Sequence, residues 1–226
     1  MRLLSSKRVP EPEVMESVQE AEGYEATASD THLDQIDNQL VKYILSMGTK
    51  GTVLDLGTGP GQIPIKLAKR DPHIRVIGID LSTAMLKIAV ERARQEQVSS
   101  RVFFLKANAK SIPVETGSVD LLICNSTLHH FQNPVLVFNE VNRVVKEGGG
   151  VYFRDLRRPP RILHRLYTAF FGRRYKSLMR KLYEDSVRAS YTRPELRQLV
   201  AASSLWDARV FYPDLSHIAI ERRRLK

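Results

Sequence analysis

The sequence predicts a three-layer α/β fold on a seven-stranded, mostly parallel sheet whose last strand runs antiparallel. Three observations carry that expectation. Short continuous apolar runs alternate with amphipathic helical stretches between residues 52 and 155, the pattern of parallel strands covered on both faces. After Asp155 the alternation stops, and residues 156–191 keep a helical period with no strand. The chain then resumes with a helix and two short strands around a turn, a closing hairpin. With 226 residues, 42% of them hydrophobic, there is material for one good core, so a single domain is expected.

In chain order, "EPEVMESVQEAEGYEA" reads as a short helix from about Pro12, where proline's missing N–H costs little. A second helix, about Leu33 to Met47, places Ile36, Leu40, Ile44 and Leu45 on one face, and Gly48 closes it. Residues 1–47 thus form N-terminal helices that can act as a lid. Between residues 52 and 155, "TVLDL", "IRVIGID", "VFFLKA", "VDLLICNS" and "GGGVYFRDL" are strands. "QIPIKLAKRD", "STAMLKIAVERARQEQ" and "NPVLVFNEVNRVVK" are the helices between them. In residues 156–191, Pro159, Pro160 and Gly172 break the helical run. Thr192 with Glu195 three positions on is a capping-box start for the next helix. Residues 192–226 supply that helix and the hairpin around "YPDLS".

Composition narrows the function. No apolar run is long enough to span a bilayer, and the start "MRLLSSKRVPEPEVMES" lacks the apolar stretch and cleavage site of a secretory signal. Cys124 is the only cysteine, which excludes disulfide frameworks and zinc ribbons. The expected compartment is the cytoplasm. The net charge of +10 is concentrated. Residues 154–197 hold 11 Arg and 2 Lys against 2 Asp and 2 Glu, so the anion-attracting surface belongs to the helical insertion.

The segment "TVLDLGTGPGQIPIKL" raises the functional question. A strand, a glycine-rich turn and a helix leave backbone N–H groups pointing outward at the helix start. The nicotinamide fingerprint G-x-G-x-x-G fits Gly57 and Gly59 but meets Gln62 at its third position, with glycine one residue early at Gly61. No Gly-Lys-Ser/Thr follows, so the Walker loop fits worse. The spacing is Asp55-x-Gly57-x-Gly59-x-Gly61, with Thr58 inside it. Asp80 ends the next strand, 19 residues after Gly61, where a carboxylate can accept both ribose hydroxyls. Asp80 could instead cap the following helix, but Ser82 can do that equally.

These residues resemble the class I S-adenosylmethionine-dependent methyltransferases, in a broad Rossmann-like small-molecule branch. The likeness covers roughly Val53 to Gly150 well, the hairpin moderately and the insertion poorly. It implies that residues 52–155 bind S-adenosylmethionine as cofactor. Asp55, Gly57, Thr58, Gly59 and Gly61 would line the methionine and ribose, with Asp80 on the ribose and Leu81 and Met85 flanking the adenine. "KANAKSIPV" resembles the family's Gly-Asp-Ala segment, with Asn108 in place of the acid and Ala109 beside it; an amide oxygen accepts the same bond without charge. "VDLLICNSTLHHFQNP" resembles the fourth motif, putting Asn125 beside the donor. The opening "RVPEPEVMESVQEAEGYE" resembles the N-terminal helices that close over the donor in this branch, and Tyr24 within it is assigned to substrate contact.

Methyl transfer from a sulfonium needs in-line positioning and removal of the acceptor's proton where it has one. It needs no metal, and no metal cluster is evident in the sequence. His130 and Asp155, just after the fourth and fifth strands, are the candidate proton acceptors, although either histidine could equally bond a backbone carbonyl. His129 is assigned to substrate contact. Adjacent histidines are expected to point apart, leaving one on the pocket. Arg154, Arg157 and Arg158 flank Asp155 and could bind an anionic acceptor with forked hydrogen bonds, or pair with Asp155 and the acidic N-terminal region. Tyr167, Phe170, Phe171, Tyr175 and Tyr183 interleave with arginines in the insertion, which is expected to cap the acceptor site. The leading expectation is an enzyme that methylates a small metabolite. The rivals are an RNA or protein methyltransferase and a catalytically silent donor-binding scaffold.

Overall fold

The computed structural model describes residues 7–11, 31–173, 175 and 177–223. The expected helix from Pro12, and Tyr24 with it, lie outside the described residues. Seven strands, β1 (Gly51–Leu56), β2 (Ile74–Asp80), β3 (Val102–Lys106), β4 (Val119–Asn125), β5 (Val145–Leu156), β6 (Arg209–Phe211) and β7 (His217–Arg222), form one sheet. Its order is β3-β2-β1-β4-β5-β7-β6. The first five pair in parallel, and β7 lies antiparallel between β5 and β6. The architecture is the one the apolar runs predict.

Helices α1 (Thr31–Ser46), α2 (Gln62–Arg70), α3 (Thr83–Gln95), α4 (Pro134–Val144), α5 (His164–Gly172), α6 (Ser177–Ala189) and α7 (Arg193–Ala201), with 3₁₀ turns at Leu128–His130 and Arg161–Leu163, complete the described elements. Successive strand residues face opposite sides of a sheet, and here both sides are core. Val53, Leu121 and Ile123 pack with Leu40 and Ile44 of α1 and Leu67 of α2. Leu54, Leu122 and Cys124 pack on the other side with Phe138 and Val141 of α4 and Leu196 of α7. That is why the central strands, Asp55 and Asp120 apart, are apolar toward both faces. Each fully buried Leu, Ile or Val contributes roughly 1.5–3 kcal/mol.

Side chains mark the helix starts. Ser82 accepts the Met85 N–H at 3.3 Å to cap α3. Asn133 accepts the Leu136 N–H at 3.4 Å before Pro134 opens α4. Glu195 accepts the Thr192 N–H at 2.8 Å in the expected capping box of α7. One boundary differs from expectation: α4 stops at Val144, and Val145 already pairs with Val119 of β4. Strand pairing overrides the helical period of "RVVK" there.

Candidate active site

The carboxyl ends of β1, β2, β4 and β5 open on one cleft, roofed by the helical insertion. At the loop after β1, Gly57, Gly59 and Gly61 hold φ of +71°, +52° and +78°, a region that disfavours other residues. A Cβ on Gly57 would also stand 2.3 Å from the Thr127 side chain. Helix α2 starts from Gly61 with no side-chain cap, so its first-turn N–H donors are left for a ligand on the cleft wall.

Asp80 ties this loop to β2. Its Oδ2 accepts the Gly59 N–H and its Oδ1 the Ser82 N–H, each at 2.8 Å. A carboxylate has about four acceptor positions, so Asp80 keeps capacity toward the cleft that it lines. Ser82, not Asp80, caps the helix. Asp55 lies beneath, accepting the Thr58 hydroxyl at 2.7 Å. Burial pushes the Asp55 carboxyl up to about 7; Thr58 opposes the shift, and Asp80 and Asp37 add to it. Burial also raises Asp80 and Asp37. Three carboxylates that resist ionising on one wall make a setting that a cationic ligand relieves. The glycine cradle and this acidic wall fit S-adenosylmethionine, a sulfonium.

Opposite them, a 3₁₀ turn (Leu128–His130) follows β4. Both histidines line the cleft, their ring centroids 4.2 Å apart. The expectation that they diverge fails because a 3₁₀ turn separates successive side chains by about 120°, not the half-turn of a strand. Ser126, just before the turn, holds φ of +55°, a conformation non-glycine residues adopt at small cost when the surroundings enforce it.

Asp55, Gly57, Thr58, Gly59, Asp80, Met85, Asn125, His129 and His130 are brought together on the cleft. Gly61 shapes the helix start from behind it. Leu81, Asn108 and Ala109 stand outside the lining. The Asn108 Oδ1 is turned back on the Lys110 N–H at 2.9 Å, a local Asx turn.

Three assignments need correction. Asp155 does not reach the cleft: it is buried, and its carboxylate meets the His129 N–H and Nδ1 at 2.7 Å each and the Leu156 N–H at 2.6 Å. Burial would raise the Asp155 carboxyl, but His129 and these donors hold it below the usual range. Asp155 is a positioning residue for His129. The Arg158 guanidinium is buried, donating to Ser190 O at 2.7 Å and pairing with Glu195. Arg157 lies over the rings of Tyr212 and Tyr167, with centroids 5.1 and 5.7 Å away. Both arginines fasten the insertion and neither lines the cleft.

From the insertion, Phe171, Tyr175, Met179 and Tyr183 do line it. Tyr167 is buried, donating to Ser216 O at 3.0 Å, whereas Phe170 turns outward and is 58% exposed. The Tyr183 hydroxyl is buried and has no hydrogen-bond partner among the described residues.

Sequence reasoning misses Asp37 and Glu11. Asp37 lines the cleft from α1; a carboxylate one position beyond the apolar Ile36 is the available signal. Arg154, grouped in the sequence with Arg157 and Arg158 as an anion ligand, does line the cleft, donating from Nε to Asn125 Oδ1 at 2.9 Å. Glu11 approaches His129 Nε2 at 3.4 Å, which no local pattern announces.

A family model described as a methyltransferase domain matches residues 48–193. Among curated proteins, the demethylmenaquinone methyltransferase of Porphyromonas gingivalis is 30% identical over 56% of this chain and 52% of its own length. The malonyl-[acyl-carrier protein] O-methyltransferase of Legionella pneumophila is 37% identical over 46% of this chain and 36% of its own. The chain thus spans about half or less of these relatives. A SAM-dependent methyltransferase from Aquifex aeolicus shares the fold at a TM-score of 0.62 and 21% identity, covering 81% of this chain and 88% of its own.

Proposed function

The chain belongs to the class I S-adenosylmethionine-dependent methyltransferases, and from that premise we propose that it methylates a small-molecule acceptor held beneath the helical insertion. The observation that carries this reading is that one cleft is lined both by the glycine loop with Asp80 and by Phe171, Tyr175 and Tyr183. Donor and acceptor would share one enclosure, with the histidine turn at its wall.

S-adenosylmethionine, when bound, supplies a methyl group already activated on sulfur. Gly57, Gly59 and the start of α2 would hold its backbone-facing side, and Asp80 its ribose hydroxyls. The aromatic roof would exclude water and fix the acceptor's orientation, the positioning from which most of the rate derives. His129 and His130 would polarise the acceptor's reacting group and draw its proton away. Asp155 keeps His129 in the tautomer with Nδ1–H inward, leaving Nε2 outward.

Phe171, Tyr175 and Tyr183 of the insertion turn toward the cleft, and the buried Arg158 guanidinium is committed to Ser190 O and Glu195. Both features favour a small acceptor over stacking on a single-stranded nucleic acid. The relatives include quinone and acyl-carrier-protein methyltransferases, so phenolic, quinol and carboxylate acceptors head the test panel. The purified chain with S-adenosylmethionine and that panel should release S-adenosylhomocysteine and a methylated product, read by mass spectrometry. Donor binding without turnover on any acceptor would favour the silent scaffold. RNA retention falling steeply with salt would favour a nucleic-acid substrate.

A further inference from the structure

Residues 7–11 run across the histidine turn. Arg8 donates from Nε to Ala189 O and from Nη2 to His129 O, both at 2.6 Å, and stacks over Tyr191 at 4.2 Å. The Val9 N–H donates to Arg188 O at 3.2 Å. So anchored, Glu11 presents Oε2 to His129 Nε2 at 3.4 Å and to His130 Nδ1 at 3.7 Å. The three ligand-capable atoms lie within 4.8 Å of one another. In sequence Glu11 stands 118 residues before His129, so the cluster exists only in the fold.

We propose that Glu11, His129 and His130 form a binding site for one divalent transition-metal ion at the wall of the cleft. The spacing is the first argument. A proton shared between imidazole and carboxylate draws the heavy atoms to about 2.7–2.9 Å, and this pair stands wider. Ligand atoms about 2.1 Å from one tetrahedral ion are about 3.4 Å apart, close to the two spacings from Glu11. Orientation is the second. Asp155 only accepts, so Nδ1 of His129 carries the hydrogen and Nε2 is aimed at Glu11. A carboxylate on the far nitrogen of a ligating histidine is the usual support of a metal site. Ligand chemistry is the third: two imidazoles and one carboxylate suit zinc, iron, cobalt or manganese rather than magnesium or calcium. Three protein ligands leave a coordination position, and both histidines line the cleft. With the ion bound, His129 Nε2 and His130 Nδ1 are taken up as ligands, so the ion in place of the histidines would hold an acceptor oxygen as its anion, its proton released to water on binding. That use of the ion rests on the methyl-transfer reading, but the binding of the ion does not.

The test is therefore on binding alone. The untagged full chain, stripped with a chelator, is titrated with Co²⁺ and followed by its visible absorption, with Zn²⁺ as competitor. One ion per chain is expected, with affinity at least 10-fold weaker in Glu11→Gln and in His130→Ala and about 10–100-fold weaker in Asp155→Asn. Unchanged melting of Glu11→Gln and retained S-adenosylhomocysteine binding would show that the variants are folded. No saturable Co²⁺ binding, or binding that survives both Glu11→Gln and His130→Ala, overturns the site.

A second surface stands on a separate observation. Ile162, Leu163, Leu166 and Phe170 are 69%, 47%, 71% and 58% exposed. They follow one another at helical spacing through the turn before α5 and α5 itself, with exposed Arg161, Arg165 and Arg173 beside them. Tyr167 of the same helix is buried inward, so the outer face needs another explanation than core packing. The geometry points to an anionic lipid bilayer as its occupant, since large apolar side chains flanked by arginines are what an interfacial helix presents to such a surface. The full chain should float with phosphatidylglycerol–phosphatidylcholine vesicles and far less with phosphatidylcholine alone. Leu166→Ser with Phe170→Ser should reduce flotation several-fold without changing the melting temperature. No flotation, equal flotation of the double variant, or a dimer that the variant dissociates with no lipid binding would overturn the assignment.

Discussion

Asp155 grips His129 at two points, accepting its backbone N–H at 2.7 Å and facing its Nδ1 at 2.7 Å. Burial works against a charged imidazole, yet Asp155, and then Glu11, outweigh it and raise His129 above its ordinary 6.5. The raised imidazole contributes stability that is full below 6.5 and is lost as pH rises through its folded value. The depressed Asp155 carboxyl contributes above its ordinary 3.8 and loses it as pH falls through its own folded value. The pair is therefore worth most between those two limits. In Asp155→Asn the His129 titration, followed by imidazole NMR, should move to lower pH, with about 3–5 kcal/mol of stability lost. An unmoved titration would refute the electrostatic link.

Donor recognition is expected to depend on Asp80. Asp80→Ala removes two ribose bonds, each worth roughly 1.5–3 kcal/mol, and frees the Gly59 N–H that organises the loop. Calorimetry should show S-adenosylhomocysteine affinity falling at least 10-fold, and wild type should not bind nicotinamide dinucleotides. Wild-type affinity in the variant would remove Asp80 from the ribose.

The acidic wall predicts a pH signature. Because Asp55 is pushed up to about 7, it gains its charge between pH 6 and 8. A cationic donor is favoured by that charge and its neutral product is not. The affinity of S-adenosylmethionine relative to S-adenosylhomocysteine should thus rise several-fold from pH 6 to 8, on the scale of about 1.4 kcal/mol per pKa unit. In Asp55→Asn the ratio should be flat with pH; a slope that persists would place its source elsewhere.

The insertion divides into fastening and contact residues. Arg158→Ala removes a buried guanidinium from Ser190 O and from the half-exposed Glu195, and should cost about 1–3 kcal/mol in denaturant unfolding, rather than altering acceptor affinity in the folded fraction. Tyr183→Phe removes a hydroxyl without a partner among the described residues. It should keep stability and donor affinity while raising the acceptor KM several-fold. If Tyr183→Phe and wild type show the same acceptor kinetics, that hydroxyl has no role in recognition.

The legible parts of this molecule are those governed by local pattern. Gly57, Gly59 and Asp80 stand out because positive φ and strand-end position leave marks at short range. The cap is legible as a helical interruption, and Phe171, Tyr175 and Tyr183 as its aromatic residues. Arg157 and Arg158 mislead because charge says nothing of partners, and Glu195, Arg158's partner, lies 37 residues on. For Asp155 the pattern gives the right neighbourhood and the wrong role, since whether a buried carboxylate faces a cleft or a backbone depends on the turn opposite. Glu11 is invisible for the same reason, because its meeting with His129 and His130 is long-range.

The insertion of β7 between β5 and β6 sets a schedule for synthesis. Residues Val151–Leu156 hydrogen-bond to β7 along their outer edge, yet His217 emerges 61 residues after Leu156. At about 5–20 residues per second, the growing chain carries that edge without its partner for roughly 3–12 s. It is a strand rich in large apolar residues (Val151, Tyr152, Phe153 and Leu156) with a row of unmatched N–H and C=O groups, the template on which other chains associate. The ribosome therefore makes the insertion and α7 before the sheet can be sealed, and the last strand serves as the molecule's protection against its own half-made form.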